Sequence, residues 1–332
     1  MITAYLPQGT LLQRIELGPA DTLAEALPEG VVWLDLMEPT PAEEKAVEAL
    51  LGLEMPTREE MQEIEISSRL YREADVSYMT ANVLFHAETP LPQTTPITFI
   101  RSHRALVTLR YADPQAFRSF IGRAMRTPSL CATPDATLCG LLDAIIDRAA
   151  DVLEWAARDL DQLSRSIFGY RADGAREEPD DADLEEAVRN LGRIEDLNSR
   201  IRDSLMNLNR LVAFLNLALT EQRGTKESRQ WLKTLARDVQ SLSEQSGFLA
   251  HKGNFLLDAT LGLINIQQTK IIKIFSVAAT VFLPPTLIAS IYGMNFHTMP
   301  ELDWTFGYPM AILIMIGSAV LPYWWFKRKG WL

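Results

Sequence analysis

Two cysteines in 332 residues, Cys131 and Cys139, rule out a disulfide framework, and eight positions apart they lack the close pairing of a zinc or redox motif. They read as unpaired thiols in a reducing compartment. Histidine is equally sparse. His86, His103, His251 and His297 are scattered, so no His-Glu-x-x-His metal motif exists. A phosphate-binding glycine loop and a Gly-x-Ser-x-Gly nucleophile turn are missing as well. The chain therefore offers no enzyme signature. Positive charge is in deficit, with 32 Lys and Arg against 43 Asp and Glu and a formal net charge of −11. That balance argues against a nucleic-acid partner. The start, MITAYLPQGTLLQRIELG, has no basic stretch followed by an apolar one, so a signal peptide is not expected. Internal repeats and low-complexity tracts are absent, and so is any long uncharged apolar run before residue 274.

Two such runs then follow in quick succession. Ile274–Ile291 (IFSVAATVFLPPTLIASI) and Tyr308–Phe326 (YPMAILIMIGSAVLPYWWF) contain no charged residue. As helices each is about 27–29 Å long, close to the roughly 30 Å of a bilayer core. They predict a membrane hairpin, with lipid as an obligate partner. Lys327-Arg328-Lys329 closes the second run and marks that end as cytoplasmic, which places the residues before Lys270 on the same side. Trp304, Trp324, Trp325 and Trp331 stand where interface anchors belong. Four basic and two acidic residues follow Lys270, leaving −13 on the first 270 residues. An acidic cytoplasmic part is compatible with cation handling and is equally an ordinary soluble surface.

The hairpin loop opens with Tyr292-Gly293-Met294-Asn295-Phe296. Taken alone, Gly-x-Asn is a helix C-cap followed by a turn. Taken with Met299-Pro300-Glu301-Leu302 and the ending KRKGWL, it resembles the CorA family of divalent-cation channels, closely so over 265–332. The rest of the chain resembles the family by layout rather than by motif. The resemblance implies a homopentamer in a bacterial inner membrane, with both termini cytoplasmic. It implies Mg²⁺ as cargo, with Co²⁺ and Ni²⁺ as alternatives, and carries over Gly293, Met294 and Asn295 as the selectivity signature. The chemistry fits: Mg²⁺ dehydrates reluctantly, and a ring of neutral oxygens accepts hydrogen bonds from its bound water without stripping it. Glu301 and Asp303 would draw cations to the outer mouth, or serve only loop solubility.

Ahead of the hairpin the expected fold class is α+β. Residues 1–112 form a cytoplasmic α/β part, with strands at MITAYLP, LLQRIEL and VVWLDLM and a helix from Pro41 to about Leu51. Thr40 is that helix's candidate N-cap and Pro41 suits its first position. A second short helix is predicted over Met55–Glu65, then strands at Leu70–Glu73, Val76–His86, Ile97–Ser102 and Arg104–Arg110. Residues 113–225 are helical, broken near 169–181. A stalk helix over 226–270 continues into transmembrane helix 1, 271–292. The signature loop 293–307, transmembrane helix 2 at 308–326 and a basic tail at 327–332 complete the chain.

Along the first span, Thr269, Ile272, Ser276, Ala279, Leu283, Thr286 and Ser290 recur at alternating steps of three and four. Such a stripe of small and hydroxylated residues is either a helix-packing face or, repeated around an axis, a pore lining. The implied pentamer selects the pore, with Ile272 and Leu283 as apolar constrictions and Phe275 beside them. Pro284-Pro285 removes two backbone donors within the span. Lys270 and Lys273 sit where stalk meets membrane and Lys327, Arg328 and Lys329 end the second span, an orientation signal that the resemblance extends to an electrostatic ring around the inner pore. The family's cytoplasmic Mg²⁺ sensor implies acidic residues at subunit contacts, here Glu59 and Glu60 with Asp238 on the stalk, each of which can equally be a solvated helix residue. Two rivals remain. One is a zinc transporter of the related branch, which the resemblance disfavours because Met294 is commonly replaced there. The other is a membrane-anchored signalling or scaffold protein whose hairpin only anchors.

Overall fold

The structure is a computed structural model. It describes residues 1–9, 11–18, 29–89, 91–169, 179–221, 225–295, 297, 299–300 and 304–330. The backbone divides into two units, one of 1–178 with 186–256 and the other of 179–185 with 257–332.

Seven strands form one sheet in the first unit: β1 Ile2–Gln8, β2 Leu11–Leu17, β3 Trp33–Met37, β4 Leu70–Glu73, β5 Val76–Phe85, β6 Gln93–Arg101 and β7 Leu106–Arg110. Their order is β2-β1-β3-β7-β6-β5-β4, and β3–β7 is the parallel pair. That pairing joins residues some seventy positions apart, so the two strands need a different tie from the hairpin turns that hold their neighbours. Buried side chains supply it. Arg110 grips Asp35 through two parallel hydrogen bonds, Nε to Oδ1 at 3.0 Å and Nη2 to Oδ2 at 2.9 Å, with both side chains 4% exposed. Thr108 donates to the same Oδ1 at 2.7 Å and accepts from Trp33 Nε1 at 3.0 Å. Burial opposes the charge on Arg110, but its bonds to Asp35 and the nearby Asp113 outweigh that, and its pKa is raised.

The helices are α1 Pro41–Leu51, the single turn α2 Ile66–Arg69, α3 Gln115–Arg126, α4 Pro134–Ile167, α5 Asp181–Glu221, α6 Lys226–Tyr292 and α7 Gly307–Arg328. α1 begins as the sequence predicts: Thr40 and Glu43 form a reciprocal capping box, Pro41 holds the first position, and Gly52 ends the helix at φ 65°. Trp33 stacks on Tyr5 at 4.3 Å and meets the edge of Phe120 from α3 at 5.6 Å. Phe120 in turn fills the space over Gly140 of α4, where a Cβ would lie 2.5 Å from the ring. That glycine is the close-approach point of the two helices. A buried pair, Asn198 and Ser246, exchanges bonds between α5 and α6: the hydroxyl donates to Asn198 Oδ1 at 2.9 Å and the amide donates to the Ser246 carbonyl at 3.2 Å.

Two expectations are corrected. The segment 55–65 is not a helix: its regular structure is one 3-10 turn, Glu60–Gln62. Thr57 and Glu60 exchange backbone–side-chain bonds of 2.7 and 3.3 Å that close a single turn. Met61 is buried while Ile64 is 91% exposed, so no continuous apolar face exists to extend it. Strand β6 also starts four residues earlier than predicted, at Gln93, with Pro96 inside it. Pro96 faces Asn82 on β5, and β7 begins to pair only at Ile97, so the missing donor lies on an unpaired edge. The segment 170–178 and residues 222–224, expected as breaks, lie outside the described residues.

Candidate functional site

α6 is unbroken for 67 residues, about 100 Å. Gly247, Gly253 and Gly262 do not interrupt it, and Pro284 and Pro285 lie inside it. α7 and the last part of α6 are each long and apolar enough to cross a membrane. Both occur in the second unit.

At about 100° per residue, the covered positions of α6 in this unit share one side. Val277 is 5% exposed, and Ala278, Val281, Pro284, Pro285, Ile288 and Tyr292 are partly covered. Ile272, Ser276, Ala279, Leu283, Thr286 and Ser290 point roughly 180° away from that side. Each of them, with Thr269 and Phe275, is exposed in the single protomer. The seven-position seam is therefore not the face the protomer covers. It runs down the middle of the open side, flanked by Phe282 and Leu287, which are also exposed.

Two of the four hydroxyls on the seam are bonded back to their own helix. Thr286 Oγ1 donates to the Phe282 carbonyl at 2.7 Å, and Thr269 Oγ1 to the Asn265 carbonyl at 2.8 Å. Off the seam, Thr280 does the same toward Ser276 at 2.8 Å. Pro284 and Pro285 lack the amide hydrogens that the carbonyls of Thr280 and Val281 would otherwise receive.

α6 ends at Tyr292. The Gly293 amide still donates to the Ala289 carbonyl at 2.9 Å, and Met294 to Ile291 at 3.3 Å. Gly293 is not in the left-handed region that a glycine C-cap adopts. What a side chain would meet there is backbone: a Cβ would sit 3.1 Å from the Ala289 carbonyl oxygen. Gly293, Met294 and Asn295 are all exposed at this helix end. Glu301 and Asp303, the expected outer-mouth acids, lie outside the described residues.

In the first unit Glu59 and Glu60 are exposed, and the Glu60 carboxylate accepts from the Thr57 amide. Asp238 is exposed on α6, close enough to Asp143 of α4 to act on it. Burial first, then Asp147 and also Asp238, raises the Asp143 pKa, against Arg123 at 3.6 Å. Among the described residues no group of three acidic or other metal-ligating side chains converges, so Glu59, Glu60 and Asp238 do not form a cluster within one protomer.

The far end of α7 holds a feature the sequence reading did not assemble. The Arg328 guanidinium lies over the Trp324 ring at 4.4 Å, and the Lys329 ammonium over Trp325 at 4.7 Å. The signal was present as two cation–aromatic pairs four residues apart, on what the sequence offered separately as anchors and an orientation mark.

The family described as CorA-like Mg²⁺ transporter protein matches residues 28–328. The magnesium transport protein CorA of Escherichia coli strain K12 is 38% identical over 334 residues, covering all of both chains. The protein of the same name from Salmonella typhimurium strain LT2 is 37% identical over the same span. Among solved structures, the complete CorA magnesium transporter from Methanocaldococcus jannaschii superimposes with a TM-score of 0.72 at 19% identity, over 100% of this chain and 99% of that one.

Proposed function

The chain belongs to the CorA family, and from that premise we propose that it is a homopentameric Mg²⁺ channel of the bacterial inner membrane that also passes Co²⁺ and Ni²⁺. The observation that carries the reading is the open face of α6. A stripe with hydroxyls at Thr269, Ser276, Thr286 and Ser290 and apolar steps at Ile272, Ala279 and Leu283 is exposed in one protomer, opposite its covered side. Five copies around an axis give that stripe an interior to line. Phe275, 71% exposed, narrows the cytoplasmic half. Gly293, Met294 and Asn295 then ring the entrance, where amide and carbonyl oxygens accept hydrogen bonds from the water around the ion. Glu301 and Asp303 raise the local cation concentration outside. Glu59, Glu60 and Asp238, dispersed in the protomer, build a cytoplasmic Mg²⁺ sensor between protomers.

An entrance that reads the water shell sees a large octahedron with outward hydrogen-bond donors. Hexaamminecobalt(III) presents the same shape and cannot readily shed its ligands. It is expected to block Mg²⁺ flux into liposomes when added outside at a concentration comparable with Mg²⁺. Flux that persists at a large excess of the complex would rule out the hydrated-ion entrance.

A second expected result concerns the constriction. Leu283→Ala widens one apolar ring and lowers the barrier to wetting. Planar-bilayer conductance at high cytoplasmic Mg²⁺ should then persist where the parent closes, and a variant that closes normally removes Leu283 as a gate.

A further inference from the structure

We propose that the cytoplasmic end of α7 is a binding site for the phosphate headgroup of an anionic phospholipid, built around Arg328 stacked on Trp324. Ala311 and Phe326, 6% and 8% exposed, mark the covered side of α7. Leu313, Val320 and Trp324 lie on the opposite side, and all three are exposed. Arg328 follows Trp324 by four residues and sits on that same outward line. The stacked pair therefore crowns an apolar strip at the level where a bilayer changes from hydrocarbon to headgroup.

The guanidinium carbon lies 4.4 Å from the indole centroid, and the fork holds its N–H donors in one plane. That geometry takes two oxygens of one phosphate. Among the described residues no carboxylate pairs with Arg328, Lys327 or Lys329. Lys329 held over Trp325 adds a second cation beside the first. A phospholipid with a net negative headgroup fits: its phosphate meets the fork, its chains follow Val320 and Leu313, and its charge complements three adjacent cations. A zwitterionic lipid offers the same phosphate but brings its own ammonium against Lys327 and Lys329.

The site rests on the hairpin lying in a bilayer, and the test separates the two claims. Full-length protein is reconstituted in phosphatidylcholine vesicles containing either brominated phosphatidylcholine or brominated phosphatidylglycerol, and quenching of tryptophan fluorescence is compared. Brominated phosphatidylcholine reports insertion alone. The expected result is stronger quenching by brominated phosphatidylglycerol, a preference that Arg328→Gln reduces about fivefold, the factor one cation contributes at an anionic surface. Arg328→Lys, which keeps the charge without the planar fork, should retain part of it. Equal quenching by the two lipids, or an unchanged preference in Arg328→Gln, overturns the site. Absence of quenching by both overturns the membrane placement, and the site with it.

Discussion

Asn295→Ala is expected to abolish Mg²⁺ flux while the protein still inserts and assembles. The residue is exposed just beyond the last turn of α6 and is not on the seam, so its removal leaves the helix contacts in place. What it removes is an amide oxygen at the proposed entrance. A hydrogen bond to a charged group is worth about 1.5–3 kcal/mol. An oligomeric ring loses several such bonds at once, so flux should fall by at least about a hundredfold. The measurement is Mg²⁺ uptake into liposomes, with sizing of the detergent-solubilised oligomer as the control for assembly. Normal uptake by a correctly assembled variant sinks the claim that Asn295 forms the entrance.

The largest stability effect is expected in the sheet, at Asp35 and Arg110. Arg110→Ala leaves the Asp35 carboxylate in the core with Thr108 as its remaining side-chain donor. Removing one member of a buried pair costs about 3–5 kcal/mol. Asp35→Ala strands the guanidinium in the same way, although Asp113 and the Ala112 carbonyl still hold one end of it. The double replacement with apolar residues of similar size should destabilise less than either single change, because no buried charge is left over. Thermal unfolding followed through Trp33, which is tied to Thr108, reads all three variants. If the double variant is the least stable, the network is not the tie between β3 and β7.

What was legible in the sequence was local. Thr40, Pro41 and Glu43 announce the start of α1 because each satisfies or lacks a particular amide hydrogen, and the helix begins where they place it. The uninterrupted run from Lys226 is also visible without coordinates, since no proline lies between it and Pro284. The strand order was not legible. β3 finds β7 through Asp35 and Arg110, residues seventy-five positions apart that carry no local sign of one another. Residues 55–65 misled because Glu59-Glu60 and Met61 look helical in composition, while the Thr57–Glu60 exchange closes the chain after one turn. For the site, the spacing of Thr269 through Ser290 identified a face but not what lies against it. Only the burial of Val277 on the other side separates the seam from the protomer's own packing. Glu59, Glu60 and Asp238 stay dispersed in one protomer, and the contact between copies proposed for them would leave no trace in one chain's periodicity.

In the proposed pore, the back-bonding of Thr286 bears on the sign of the permeating ion. Its proton is committed to the Phe282 carbonyl, and that of Thr269 to the Asn265 carbonyl. Each hydroxyl can then present only lone pairs to whatever passes. At these two positions of the proposed pore, chloride would meet electron density with no proton to offer it, whereas a water molecule polarised by a divalent cation would meet ready acceptors. In the proposed pore, discrimination by the sign of charge would rest on uncharged side chains, and replacing Thr286 by valine should dull it without altering the net charge of the conduit.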